Sequence, residues 1–455
     1  MTKHSRSQTR GASRTLDALK RSKVPAGFLA AWNRLVANWE LPAVPRRRGR
    51  KPRVPVTDLL PALTFHVLSG AGTLSEHFSQ LFDEPLADSS WADRRARLPW
   101  AIFADLMQRV LRPQATRRQP GAFWRGWRVV ALDGTQFSLI NTPKIVDTLP
   151  KARTRRGRAA FAKITTGVLL ELGLHNPLAA AIGRHGESEW ALAQRLLAQL
   201  PKRALLLGDR LYGVVAFARA AQLACRRVGS QFLLRASRTV KPRVVKRLRD
   251  GTRRVGLRVR DPHSPNRVIE WLEVREIRVR VGRQGHRAHE LRLWTSLMDP
   301  RTAPALELAQ LYAQRWEHEL YFRELKRQVR RTAVLQSHTV ETAAQEIAAL
   351  ILVSALIATE RARAAPDHVP VVRVSFAKVL DWVRASWLAI TQFDDVMTKR
   401  QMETFFSRVY TQMGRCVTAP RRSRSYPRAV RQPVTQWPRL LHNQSTKGPL
   451  HFQIR

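Results

Sequence analysis

Acidic residues are scarce in this chain. Its 455 residues include 34 Asp and Glu against 80 Lys and Arg, a formal net charge of +46. Self-repulsion on that scale opposes compaction unless a polyanion screens it, and nucleic acid is the polyanion that fits. Cysteine is scarcer still, with Cys225 and Cys416 alone. Two thiols exclude a disulfide framework and a cysteine-based zinc site, and they point to a reducing cytoplasm. The first 25 residues are basic and polar, without the apolar stretch of a secretory signal. The longest apolar run, Ile347 to Thr359, is too short to span a bilayer and reads as a buried core helix, so no membrane partner is expected. Phosphate loops of the G-x-x-x-x-G-K-[ST] type are missing, and neither Ser188 nor Ser296 has a G-x-S-x-G context. ATP use and serine hydrolysis therefore find no support.

Apolar material is abundant by comparison. A 44% hydrophobic share with 13 Trp can bury large cores, unlike that of short basic packing proteins, and the length suggests two to four domains. Residues 1–55 form a basic arm ending in R-R-R-G-R-K-P-R. Its Arg48-Gly49-Arg50 core resembles an AT-hook, an arm that lies in a narrow minor groove, with a solvated linker as the other reading. Residues 56–120 show apolar recurrence at three and four and read as a helical DNA-binding domain.

The centre, residues 121–335, changes period. Residues 127–133, 163–172 and 177–183 read as strands, followed by a helix at 187–200, a strand at 204–209, a helix from about Leu211 to Ala224 and a strand at 231–236. That order predicts an α/β fold with a mixed sheet and helices on its faces. Residues 240–292 alternate Arg with apolar residues and read as a β-rich insertion. A strand at 291–296 and one long helix from Ala303 to Arg330 complete the core. Residues 336–412 read as helical, and 413–455 as a basic tail drawn to phosphate.

The segment Tyr312 to Lys326 carries the most information. On a regular helix Tyr312, Arg315, Trp316, Glu319, Arg323 and Lys326 share a stripe roughly 100° wide. The stripe is polar where an amphipathic helix is normally apolar, so it should face a charged partner. Two further acids stand apart. Asp133 and Asp209 each end an apolar run, where a strand leaves a sheet at the usual ligand-binding edge; an acid in an ordinary turn is the competing reading for either alone. Three converging carboxylates can hold two Mg²⁺ ions about 3.5–4 Å apart and drive displacement at a phosphodiester. Hard oxygen ligands suffice for that ion, with Mn²⁺ a possible substitute. Arg210, Arg315, Arg323 and Lys326 supply cations around the acids.

Tyr312, Arg315, Glu319 and Lys326 match Y-x2-R-x3-E-x6-K at every fixed position, and this resembles the signature of the "insertion sequence four" family of bacterial DDE transposases. Asp133 in L-D-G-T and Asp209 in G-D-R-L-Y look like that family's two catalytic aspartates. The β-rich insertion also falls where the family places one, and the resemblance spans roughly residues 60–400. It implies an RNase H-like core that binds terminal inverted repeats, cuts at the element ends and joins the freed 3′ ends to target DNA, with a hairpin intermediate. It also implies a homodimer on double-stranded DNA, associated with the nucleoid. By carry-over, Asp133, Asp209 and Glu319 ligate metal, Tyr312, Arg315 and Lys326 grip phosphates, and Trp316 stacks on an extruded base. Alternatives of other classes are an RNase H-like nuclease that does not join strands, and an inactive DNA-binding derivative.

One departure concerns the second stacking aromatic. Its expected position is Leu291; Trp294 should point to the opposite face of a regular strand and pack in the core, and Trp271 is a further candidate. The H-x-x-H of His286 and His289 lacks a zinc context, and Arg155 to Arg158 reads as a solvated or phosphate-contacting loop.

Overall fold

Helices lead, as the apolar spacing from Val56 predicts. In chain order the elements are α1 (Val56–Ser69), α2 (Leu74–Phe82), α3 (Asp88–Ala96), α4 (Trp100–Val110), β1 (Phe123–Trp124), β2 (Trp127–Leu139), α5 (Pro143–Thr148), β3 (Arg153–Thr154), β4 (Gly157–Arg158), β5 (Ala162–Glu171) and β6 (Asn176–Ile182). There follow α6 (Glu189–Leu197), β7 (Ala204–Gly208), α7 (Val215–Val228), β8 (Gln231–Arg235), β9 (Arg243–Arg247), β10 (Arg253–Arg260), β11 (Val268–Gly282) and β12 (His289–Thr295). The remaining elements are α8 (Ala305–Ala313), α9 (Trp316–Glu324), a π turn at Leu325–Val329, α10 (Val340–Ala364), α11 (Phe376–Phe393), α12 (Lys399–Arg415) and β13 (His451–Ile454).

This computed structural model describes residues 54–70, 72–82, 87–154, 157–261, 263–264, 266–282, 288–330, 332–393, 396–419 and 451–454. Arg48 and Arg50 of the basic arm, Arg155, Arg156, His286 and the basic tail from 420 to 450 lie outside the described residues. The chain divides into two units. One takes the residues up to Gln199 together with Glu317–Thr418, and the other takes Leu200–Trp316 with Ala419–Arg455.

In the first unit β5 pairs antiparallel with both β2 and β6. The β2–β5 ladder runs for ten residue pairs, from Val130–Glu171 to Leu139–Ala162. Val129, Val130, Ala131 and Leu132 are buried, as an apolar strand in a sheet covered by helices requires. Helix α6 rests on β5, where a Cβ at Gly167 would come within 3.1 Å of Leu196. Glu171 is buried yet well satisfied: it pairs with Arg128 and accepts from the backbone of Gln114 and Ala115 and from Asn176. Helix α10 contains the Ile347–Thr359 run and is buried almost throughout, as a helix apolar on all sides should be. Among the described residues it is the one helix long and apolar enough to cross a membrane, and it is mostly enclosed by its own unit.

In the second unit β7 and β8 are parallel, joined through α7 as a parallel crossover demands. Strands β8, β12, β11, β10 and β9 then pair antiparallel in that order, and β13 adds to β11. The sheet is therefore mixed, and the insertion is a meander of β9, β10 and β11. Buried Arg275 is neutralised within it by Asp250, with Thr252 Oγ1 and the Ala303 carbonyl as further acceptors. Three antiparallel strands, a helix, a strand, a helix and a strand give the α/β order expected of an RNase H-like core.

Two expectations need correction. Asp133 does not end its strand, because β2 continues through Gly134 and Thr135 to Leu139. The cross-strand ladder to β5 overrides the turn propensity of Gly-Thr. The single helix from Ala303 to Arg330 is in fact two helices and a π turn, broken at Gln314 and Arg315. The angular stripe of a regular helix therefore does not persist across Tyr312 to Lys326, and each side chain has its own setting.

Candidate active site

Asp133 lies half-buried in mid-strand, its Oδ1 accepting from the backbone N–H of Gly134 at 2.9 Å. The glycine answers a close approach. A Cβ there would lie 2.3 Å from Cδ of Glu189, so the Glu189 carboxyl group is laid against the backbone beside Asp133. Ser188 sets that placement by capping α6, its side chain accepting from Ala191 at 3.2 Å. Glu189 is not among the residues expected from the sequence; its signal there is a Ser followed by an acid at the start of an apolar helix.

Glu319, also half-buried, projects from α9. That helix is fastened to the same sheet. His318 is buried, and its Nε2 donates to the carbonyl oxygen of Val168 at 3.0 Å. Val168 is the cross-strand partner of Asp133, so Glu319 follows directly on an anchor to the strand beside the first aspartate. On another face Tyr321 Oη bonds Ser354 Oγ of α10 at 3.0 Å. The structure thus brings the region of Asp133 and the helix of Glu319 together within the first unit.

Lys326 lies on the π turn, a backbone irregularity often found at functional sites. Its Nζ donates to the carbonyl of Gln136 at 2.8 Å and stands 5.2 Å from the ring centre of Phe137, both on β2. Burial, and then the charges of Arg330 and Lys163, hold its ammonium below the ordinary lysine range. An anion docking here would relieve that crowding of cations. Arg323 is exposed, and Trp316 is 56% exposed, an unusual position for so large an apolar surface.

Trp316 and the remaining described residues of the predicted site belong to the second unit. Asp209 follows β7 directly and is half-buried, its Oδ1 accepting from Leu211 N at 2.7 Å in an Asx turn. The loop then closes tightly on β8, since a Cβ at Gly213 would lie 1.8 Å from the Arg235 carbonyl oxygen. Tyr312 is buried and its hydroxyl donates to the Gly208 carbonyl at 3.3 Å, bracing the strand end that carries Asp209. Burial raises the phenol well above its ordinary range, against the neighbouring cations Arg315 and Arg235 and with Asp209 adding to the rise. Asp209, Arg235, Tyr312 and Arg315 thus share one neighbourhood, while Arg210 is exposed. Trp294 is fully buried, donating its indole N–H to Glu276 at 3.2 Å, whereas Trp271 is 42% exposed. The core packing expected of Trp294 is what the fold shows.

Among the described residues no three His, Cys, Asp or Glu side chains form a ready-made metal cage. The donor set still suits a hard cation. Mg²⁺ commonly takes one or two carboxylates and completes its shell with water and substrate phosphate rather than with an all-protein site.

A sequence family described as "Transposase DDE domain" matches residues 124–356, just over half of the chain. The chain is 26% identical over 337 residues to "Transposase InsG for insertion sequence element IS4" of Escherichia coli (strain K12), covering 70% of this chain and 71% of that protein. It is 28% identical over 128 residues to "Putative transposase InsZ" of the same strain, covering 28% of this chain and 43% of that protein. A solved piggyBac transposase synaptic complex with hairpin DNA is similar at a TM-score of 0.40 and 8% identity, over 88% of this chain and 85% of that one, too distant to assign topology. The matched span encloses Asp133, Asp209, Glu319 and the whole Tyr312–Lys326 segment. With those acids on a mixed α/β fold of high positive charge, the chain belongs to the DDE transposases of the IS4 family, metal-using enzymes that bind and cut DNA.

Proposed function

We propose that this transposase binds the terminal inverted repeats of its element, cleaves at the element ends and transfers the 3′ ends to target DNA, with Asp133, Asp209 and Glu319 as the catalytic carboxylates. The observation that supports this most is the His318–Val168 hydrogen bond, which seats the helix of Glu319 against the strand paired with Asp133. Bound Mg²⁺, or Mn²⁺ in its place, would lower the pKa of a water or 3′-hydroxyl and neutralise the leaving oxygen. Asp133, Asp209 and Glu319 are the residues that would hold the cations. Arg315, Arg323, Lys326 and Arg210 hold DNA phosphates, and Tyr312 keeps the end of β7 in place while the adjacent Arg315 engages the strand.

Each step, a hydrolytic nick, attack of the 3′-OH on the opposite strand, hairpin opening and joining, is a displacement at phosphorus, so one set of acids serves all of them. Exposed Trp316 is the platform for a base extruded from the hairpin, a contact worth about 1–3 kcal/mol per base. The arm of residues 1–55, with Arg48 and Arg50, the helical domain 56–120 and the tail 413–455 add DNA contacts around the core 121–335. Two copies pair the two ends as a homodimer, with 336–412 contributing to the interface, and the complex works on the bacterial nucleoid.

Products decide the route. Incubated with Mg²⁺ and a duplex carrying the element's inverted repeats, the protein should release ends that run as covalently closed hairpins on denaturing gels. Trp316→Ala should diminish the hairpins while preserving the initial nick. Nicked ends that never join would favour a hydrolytic nuclease instead.

A further inference from the structure

Behind Glu319, on the opposite side of α9, lies a buried histidine that the reaction does not itself call for. His175 is 1% exposed. Its Nδ1 is 2.6 Å from Glu324 Oε2 and its Nε2 is 2.9 Å from Glu317 Oε2. Glu317 and Glu324 are seven residues apart and so face nearly the same way on the helix. Glu319 stands roughly 140–200° round from them. A single imidazole therefore grips two turns of the helix on the face turned away from the acid. Both acceptors are carboxylates, so a ring that donates through both nitrogens is an imidazolium. Arg361 closes the far end: it reaches Glu324 Oε1 at 3.5 Å and donates to the carbonyls of Val374 and Val372 at 2.7 and 2.6 Å.

Two features indicate that the position is held on purpose. His175 adopts φ 55°, a left-handed conformation that residues with a Cβ seldom take, in the tight turn between β5 and β6. The arrangement is also redundant for simple packing, because α9 is already tied to β5 through His318 and to α10 through Tyr321. What a two-point grip across seven residues adds is control over rotation of the helix about its axis. Rotation is the motion that would swing Glu319 away from Asp133.

We propose that His175 is a positioning residue of this transposase, a doubly bonded staple that fixes the rotational setting of the helix bearing Glu319. The inference rests on the catalytic role assigned to Glu319. Its effect belongs to the cleavage step, since Glu317 and Glu324 stand roughly 100–120° round α9 from Arg323.

The test uses the full-length protein, with His175→Gln and, at the more exposed end of the staple, Glu317→Gln as a variant that keeps the buried ring. Hydrogen–deuterium exchange should speed up about tenfold in peptides spanning Trp316–Glu324 and stay unchanged in Ala162–Glu171. On a duplex carrying the element's inverted repeats, affinity in Ca²⁺ should be retained. The single-turnover cleavage rate in Mg²⁺ should fall by roughly ten- to a hundredfold for His175→Gln and less for Glu317→Gln. The double variant should be no worse than His175→Gln alone, the mark of one shared interaction. Unchanged exchange in α9, or binding and cleavage falling in parallel, overturns the proposal. The exchange measurement decides the staple even if the wild-type protein fails to cut, a result that would count against the catalytic reading instead.

Discussion

His318 donates its Nε2 proton to the carbonyl oxygen of Val168, 3.0 Å away, and Val168 is the residue paired with Asp133 across the β2–β5 ladder. That hydrogen bond makes a testable demand on stability. His318→Ala leaves a cavity and removes the tie from α9 to β5 inside the first unit, and should cost about 2–4 kcal/mol in denaturant unfolding. A change below about 0.5 kcal/mol, the size of a surface substitution, would show that the anchor contributes little.

Gly134 makes a second demand. Its missing Cβ is the space that the Glu189 side chain fills. Gly134→Ala should push the half-exposed, flexible Glu189 side chain aside and destabilise the protein by about 1 kcal/mol at most. Gly134→Ala combined with Glu189→Ala should regain most of that loss in thermal melts. An additive double variant would mean that the two groups do not meet.

Lys326 is predicted to act through charge. Lys326→Ala should weaken binding to DNA in general and reduce the slope of log K against log salt by about one. The measurement is a fluorescence titration at several salt concentrations, and an unchanged slope would place Lys326 off the phosphates.

The staple gives stability a pH dependence. Burial opposes the charge on His175, but the Glu324 carboxylate and the hydrogen bonds to Glu317 and Glu324 outweigh both burial and Arg361, so its pKa is raised above 6.5. Between 6.5 and that raised value the folded protein binds more protons than the unfolded chain. The stabilisation is complete below 6.5 and is lost as pH rises through the folded pKa. The melting-temperature gap between wild type and His175→Gln should therefore narrow with rising pH. A constant gap would mean that His175 does not titrate in that window.

Much of this was legible in the sequence, for physical reasons that can be named. The apolar runs at 163–172 and 204–209 became β5 and β7 because buried strands must be apolar on both faces. Asp209 fell just past its strand, where an Asx turn suits it. Asp133 was misplaced because Gly134 and Thr135 are turn formers by local chemistry, and only the distant β5 keeps them extended. The break at Gln314 and Arg315 and the π turn at Lys326 had no local signal, since no Gly or Pro interrupts residues 305–330. Tertiary ties such as Tyr312 to Gly208 and Lys326 to Gln136 accompany those irregularities. His175, His318 and Glu189 were invisible for the same reason. Their roles come from partners that lie 142, 150 and 55 residues away in sequence, Glu317, Val168 and Gly134.

The central claim is that Glu319 is a catalytic acid of a DNA-cutting site. Glu319→Ala should be compared with wild type on a duplex bearing the element's inverted repeats, measuring end binding in Ca²⁺ and 3′-end cleavage in Mg²⁺. Binding should stay within about twofold of wild type, too small a change for a lost contact, and cleavage should fall below detection. Cleavage retained at the wild-type rate would contradict it.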